Sequence, residues 1–280
     1  MKTPELEKIS CQVRRDIVRM VHAVQSGHPG GSLGCVEFLV ALFFEKMTHK
    51  NEFNMDGENE DLFFLSNGHI SPVLYSVLAR SGYFNINELK TFRNIDSRLQ
   101  GHPATKEKLP GIRIASGSLG QGLSVAIGAC EAKKLNKDRK LVYCLCGDGE
   151  LQEGQIWEAL MYASAKKIDN LIMTVDLNKQ QICGSTEEIL SLGDLNKKIT
   201  SFGWEIVEIE DGNEMYSVLN GINSAIELTK QKKPVCILLN TQMGFGVDFM
   251  MGSHKWHGIA PNDEQLEIAL DQLEETLGDY

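Results

Sequence analysis

One stretch constrains the fold of this chain more than any other: Gly147-Asp148-Gly149 and then Asn178, each preceded by a short apolar run, with a helical pattern between them. The first run, Leu141-Val142-Tyr143-Cys144-Leu145-Cys146, is short, rich in β-formers and halts at a glycine, as a buried parallel strand does. Ile156, Leu160 and Ala163 then recur at three-to-four spacing before Lys166-Lys167, which predicts a helix from near Glu153 with a cationic last turn. A second strand, Leu171-Ile172-Met173-Thr174-Val175, delivers Asp176 and Asn178. This strand-helix-strand unit puts Asp148 and Asn178 at the same edge of one sheet, where open α/β folds place their ligands. The two side chains can share one ion. Magnesium takes hard oxygen ligands and keeps positions for water and phosphate, so the Asp148 carboxylate, the Asn178 amide oxygen and a backbone carbonyl, with Gln180 as the candidate, suffice. Gly147 and Gly149 let phosphate oxygens approach the backbone. A bare Gly-Asp-Gly is more often a turn, and it is the strand-helix-strand context with Asn178 that turns the reading toward a metal-bridged diphosphate.

The rest of the chain alternates in the same way. Leu6, Ile9, Val13, Ile17, Met20, Val21 and Val24 predict an amphipathic helix over about 5–25 that ends at Ser26-Gly27. Gly27-His28-Pro29-Gly30-Gly31-Ser32-Leu33-Gly34 opens an apolar helix through Phe44, and Leu62-Phe63-Phe64-Leu65 is a strand that stops at Ser66-Asn67-Gly68-His69. A helix is expected at 71–81, one from Gly122 to about Lys134, a strand at 204–207, a helix at 214–230, a strand at 235–239, and an acidic helix from Asp263. Residues 85–113 are more polar and read as a surface excursion over the ligand rather than as core. The sum is a single domain over 1–280, an α/β fold of three layers with a mostly parallel sheet and helices on both faces, with no internal repeat or linker.

A net charge of −10 argues against nucleic acid or an anionic membrane as partner, because both call for a basic surface. The seven cysteines, Cys11, Cys35, Cys130, Cys144, Cys146, Cys183 and Cys236, form no CxxC pair and mostly sit in apolar runs, so they read as reduced thiols of a cytoplasmic protein. No signal peptide and no membrane-spanning apolar stretch is read from the sequence.

His28, His69, His102 and His257 each adjoin a glycine in a turn between elements, with His254 close to the last of them. Their spacing contains no HxxxH or Cys/His cluster, which leaves zinc ligation unsupported. Hydroxyl recognition and proton transfer suit them better, since a neutral imidazole can both donate to and accept from polyol oxygens.

Taken together, Ser26-Gly27-His28-Pro29-Gly30, Leu65-Ser66-Asn67-Gly68-His69, Gly101-His102-Pro103, Gly117-Ser118-Leu119-Gly120-Gln121-Gly122, Gly147-Asp148-Gly149 with Asn178, and Trp256-His257-Gly258 resemble the transketolase family in order and separation over nearly the whole chain. The resemblance implies a thiamine diphosphate-binding fold. It implies Mg2+ (or Ca2+ or Mn2+ in its place) held by Asp148, Asn178 and the Gln180 carbonyl, Gly149 against the diphosphate, and Gly117, Ser118 and Leu119 beside the thiamine. By the same carry-over His69 and His257 contact the cofactor, while His28, His69, His102 and His257 line the sugar channel as the catalytic histidines. His257 is favoured over His254 by its shared His-Gly context. Glu153 and Glu158 resemble acidic residues at the family's subunit contact, although a solvated helix face explains them equally well.

Family members continue with a pyrimidine-binding and a C-terminal domain, so the resemblance implies the N-terminal subunit of a split transketolase. Its partner would be a C-terminal subunit carrying those two domains in an α2β2 assembly, transferring a two-carbon ketol unit between sugar phosphates. The alternatives are the α chain of a 2-oxo acid dehydrogenase, a subunit of a split deoxyxylulose phosphate synthase and, from a different class, a non-catalytic nucleotide-binding module.

Overall fold

The computed structural model describes residues 1–280 apart from Asn51. In chain order the helices are α1 (Thr3–Ala23), α2 (Pro29–Gly34), α3 (Val36–Ala41), α4 (Ser71–Arg80), α5 (Gly122–Leu135), α6 (Gly154–Ala165), α7 (Thr186–Leu190), α8 (Leu195–Ser201), α9 (Met215–Leu228) and α10 (Asp263–Gln272). The strands are β1 (Leu62–Leu65), β2 (Val142–Gly147), β3 (Leu171–Leu177), β4 (Gln180–Gln181), β5 (Gly184–Ser185), β6 (Glu205–Ile209) and β7 (Val235–Asn240).

Five of these strands form one parallel sheet in the order β1-β2-β3-β7-β6, and β4 and β5 make a small antiparallel hairpin. The central strands are apolar without polar alternation because both of their faces are covered. Tyr143 and Leu145 of β2 pack with α1, α3, α4 and α9 on one side. Val142, Cys144 and Cys146 pack with α5, α6 and α8 on the other. The chain moves outward from β2 to β3 through α6 on one face and returns from β6 to β7 through α9 on the opposite face. A right-handed crossover requires that change of face when the direction of travel reverses. All carboxyl ends therefore point to one rim. Pairing of Gly147 with Asp176 sets Asp148 beside the end of β3.

Two expectations need correction. The helix expected to run from the glycine turn through Phe44 is divided into α2, α3 and a π-helical turn at Leu42–Lys46, with Cys35 off helical geometry at φ −94 and ψ 9. The glycines show why α2 takes its own direction: a Cβ on Gly30 would lie 2.7 Å from the Trp256 carbonyl oxygen, and one on Gly31 2.9 Å from Ile70. The segment 85–113 has no α-helix or strand, but it is not merely laid over the surface. Leu89, Phe92, Leu99, Leu109 and Ile112 are buried members of the α1/α4 core. Tyr75 and Ser71 donate hydrogen bonds to the carbonyls of Gln100 and Gly101, at 2.7 and 2.8 Å, which fixes the backbone that carries His102. Apolar residues too widely spaced for a helix or strand still anchor an irregular segment.

The seven cysteines are free thiols, and five of them are buried. No helix among the described residues is long and apolar enough to cross a membrane.

Candidate functional site at the carboxyl rim of the sheet

Asp148 follows β2 and is buried. Its carboxylate accepts from the backbone N–H of Gly149 at 2.7 Å and of Lys179 at 2.6 Å. Lys179 adopts φ +61, an unusual conformation for a residue with a side chain, and this turns the segment after β3 beneath Asp148. Asn178 donates its amide to Asp176 at 2.7 Å, and its amide oxygen accepts from the N–H of Gln180 at 2.9 Å. Thr241 and Cys35 complete the surroundings of Asp176.

Burial first, and the neighbouring Asp176 second, push the Asp148 carboxyl up to about 7; burial also raises Asp176. Among the described residues neither carboxylate has a Lys, Arg or His ion-pair partner, and no three His, Cys, Asp or Glu side chains gather as metal ligands. Two buried acids without a counter-charge, flanked by an amide oxygen and the backbone carbonyls of the turn after β3, form the donor set a hard divalent cation takes. The chemistry of these residues fits a hard divalent cation. A cleft of about 310 Å³ opens here, lined by Asp148, Lys179, Thr186, Asp194 and Asn240. A cleft of about 700 Å³ between Ile9, Phe44, Ala79 and Leu277 is lined by none of these rim residues.

Glycines let the neighbouring loops close in. A Cβ on Gly68 would meet Ser116 Oγ at 2.3 Å, and one on Gly122 would meet Ser66 Oγ at 2.4 Å. Gly117, at φ +138, packs beneath the His102 ring. Glu150 lies among these loops, 2% exposed, accepting from Gly120 N–H at 2.8 Å, from Gly147 N–H at 3.1 Å and from the Ser66 hydroxyl. Sequence reasoning missed Glu150, and gave Ser66 and Asn67 no role beyond their place in the motif that ends at His69. A glutamate two residues beyond Asp148 looks in sequence like any solvated first-turn acid.

The four glycine-adjacent histidines come together. The His28 ring centroid lies 5.1 Å from that of His69, 6.1 Å from His102 and 5.6 Å from His257, and the His69 and His257 rings stack at 5.0 Å. His254 is exposed and lies outside the cluster. Burial, with the other histidines and Arg93 adding to it, lowers His28 to about 4. Burial is also the first cause that pulls His69, His102 and His257 down. All four are therefore neutral at pH 7. Arg93, also missed, reaches Ser26 at 3.1 Å and leaves its Nε without a partner. The Nδ1 atoms of His28 and His257, Asn67 Oδ1, Ser116 Oγ and Gln181 Oε1 are likewise buried and unpartnered. Among the described residues half of the buried, unpartnered side-chain polar atoms gather here, and because native interiors rarely tolerate such groups the rim is the candidate place for a polar ligand.

The depressed histidines have a measurable consequence. A group with a folded pKa below its unfolded value of 6.5 leaves stability intact above that value and removes it as pH falls toward the folded value. For His28 alone the loss approaches about 3 kcal/mol between pH 6.5 and 4. Urea midpoints at pH 7 and 4.5 should fall more steeply for the wild type than for His28→Gln.

A family model described as the transketolase thiamine diphosphate binding domain matches residues 7–278. The chain belongs to the transketolase family. An apulose-4-phosphate transketolase subunit of Actinobacillus succinogenes is 37% identical over 272 residues, covering 97% of this chain and 96% of that protein. The 6-deoxy-6-sulfo-D-fructose transketolase subunit of a Clostridium species is 38% identical over 264 residues, 94% of each chain. The solved transketolase of Leishmania mexicana superposes with a TM-score of 0.90 at 28% identity over all of this chain, which spans 43% of that one. On this transketolase fold the family motifs sort into the histidine cluster, the Asp148–Gln180 rim, and the Gly117–Leu119 loop, whose Gly117 packs against His102. Glu153 and Glu158 are exposed, Glu153 against Gly120 and Glu158 on a shallow groove between α5 and α6.

Proposed function

We propose that this chain is the diphosphate-binding subunit of a split transketolase that moves a two-carbon ketol unit between sugars bearing an anionic end group. The observation that carries the reading is the juxtaposition of an uncompensated acidic rim with four neutral histidines, two of which, His28 and His257, keep an unpartnered Nδ1. Asp148, Asn178 and the Gln180 carbonyl would hold Mg2+ against the diphosphate, and Gly149 gives the phosphate oxygens room. Bound thiamine diphosphate supplies the electron sink that lets a carbon–carbon bond beside a carbonyl be broken and remade. The histidines do the remaining work. Neutral imidazoles at His28, His69, His102 and His257 donate to and accept from the hydroxyls of a polyol, orient it, and move protons at those oxygens. A charged cluster could only donate.

Two relatives carry the name of a subunit, and their substrates are a sugar phosphate and a sulfonated sugar. The same arrangement here requires a C-terminal subunit that encloses the other end of the cofactor. Exposed Ile189 and Leu190, on the helix α7 whose Thr186 and Glu187 line the cleft, suit such a covering. Calorimetry should show thiamine diphosphate binding that depends on magnesium. Turnover of a ketose phosphate with an aldose acceptor should rise at least about a thousandfold when the partner is added, because half the constellation is then completed. Full turnover by the chain alone, or release of carbon dioxide from pyruvate without ketol transfer by the assembled pair, overturns the proposal.

A further inference from the structure

We propose that Glu150 is a positioning residue that sets the three loops of the cofactor cradle relative to one another, an inference resting on the thiamine diphosphate reading above. The carboxylate is buried and serves three donors on three separate segments. Gly147 immediately precedes Asp148. Gly120 ends the Gly117–Leu119 stretch. Ser66 begins the turn that carries Asn67, Gly68 and His69. Ser66 extends the link, since its hydroxyl donates to Glu150 and accepts from the Gly122 N–H at 3.0 Å. The tips of β1 and β2 and the start of α5 are thus tied through one side chain. Gly147 and Gly120 adjoin Asp148 and Leu119, and Ser66 lies three residues before His69, all placed against the cofactor or its metal.

The donor directions dictate the chemistry. The N–H groups of Gly120 and Gly147 can only donate, and they meet different oxygens, Oε1 and Oε2, so the centre must be an acceptor on both. Glutamine has the same shape but one acceptor. Whichever way its amide is turned, its NH2 faces the N–H of Gly147 or the donors of Gly120 and Ser66, and that loop is pushed out of place.

The test uses the whole chain, alone and with its partner subunit. Glu150→Gln, at a temperature where circular dichroism matches the wild type, should bind magnesium thiamine diphosphate at least about tenfold more weakly, as loss of a charge-assisted hydrogen bond implies. Amide exchange at Gly120 and Gly147 should quicken by about tenfold or more while that of Ile172 and Met173 in β3 is unchanged. In the assembled enzyme the cofactor concentration for half-maximal rate should rise, with kcat at saturating cofactor within about threefold of wild type. Ser66→Ala, which removes one leg, should give a smaller effect in the same direction. Wild-type cofactor affinity in either folded variant overturns the proposal, as do exchange rates that rise uniformly over the sheet. Failure of both variants to fold also overturns it, because Glu150 would then serve the fold at large. If the wild-type chain itself binds no thiamine diphosphate, the functional reading fails instead, while the exchange data still report on the loops.

Discussion

Asp148→Asn should abolish magnesium-dependent binding of thiamine diphosphate and lower kcat/KM of the assembled enzyme by about a thousandfold or more, while the folded chain survives. Asp148 is the one carboxylate in the expected ligand set, and an amide in its place removes the charge a divalent cation needs to surrender its water. The substituted side chain retains an oxygen for one of the two N–H donors, Gly149 and Lys179, that the carboxylate serves. It also removes one of two adjacent buried negative charges. In chelator at pH 8 the variant should be at least as stable as the wild type, because relief of desolvation and of repulsion from Asp176 offsets the one hydrogen bond lost. Urea unfolding and calorimetry on the same preparations read the two effects. A variant that still binds the cofactor with metal-dependent heat removes Asp148 from the site. Gain in stability with loss of function is the pattern of a residue kept for binding.

The rim was legible in the sequence because a buried parallel strand has little room to be anything but apolar. Leu141–Cys146 and Leu171–Val175 announce their strands, and the polar residues that follow each, Asp148 after the first and Asp176 and Asn178 after the second, fall at the sheet's carboxyl edge by geometry. The histidines were legible through their glycines. The structure brings the four to one place from loops as far apart in sequence as residues 28 and 257. What stayed hidden depends on contacts distant in sequence. Glu150 means nothing until Ser66 and Gly120 are seen to converge on it, and Leu89, Phe92 and Leu99 carry no helical or strand period although they are core. Short elements are hidden for another reason. The β4–β5 hairpin, α7 and α8 lack the length over which a period is read, and their ends are set by caps such as Ser185 with Glu188, and Asp194 with Lys197.

Arg80→Met should destabilise the chain by about 3–5 kcal/mol, the usual consequence of leaving a buried charge without its partner. Asp16 on α1 is fully buried and accepts from Arg80 through both oxygens, at 2.5 and 2.8 Å, and from Ser76 at 2.7 Å. Arg80 ends α4 and also reaches the Gly278 carbonyl at 3.2 Å. The knot therefore locks α1 to α4, the helix before the His28 turn to the helix after His69. With the guanidinium gone, burial, which already raises the Asp16 carboxyl, acts with only Ser76 opposing it. Asp16 would then take up a proton on folding, so the loss should be larger at pH 8 than at pH 5. Asp16→Leu combined with Arg80→Met should recover most of the deficit, since two apolar side chains replace a pair that had to be desolvated. Urea midpoints of the two single variants and the double variant form the cycle. If Arg80→Met alone unfolds within about 1 kcal/mol of the wild type at both pH values, the two helices are held by the apolar contacts of Val13, Ile17, Val73 and Val77, and the ion pair contributes little to the geometry of the histidine cluster.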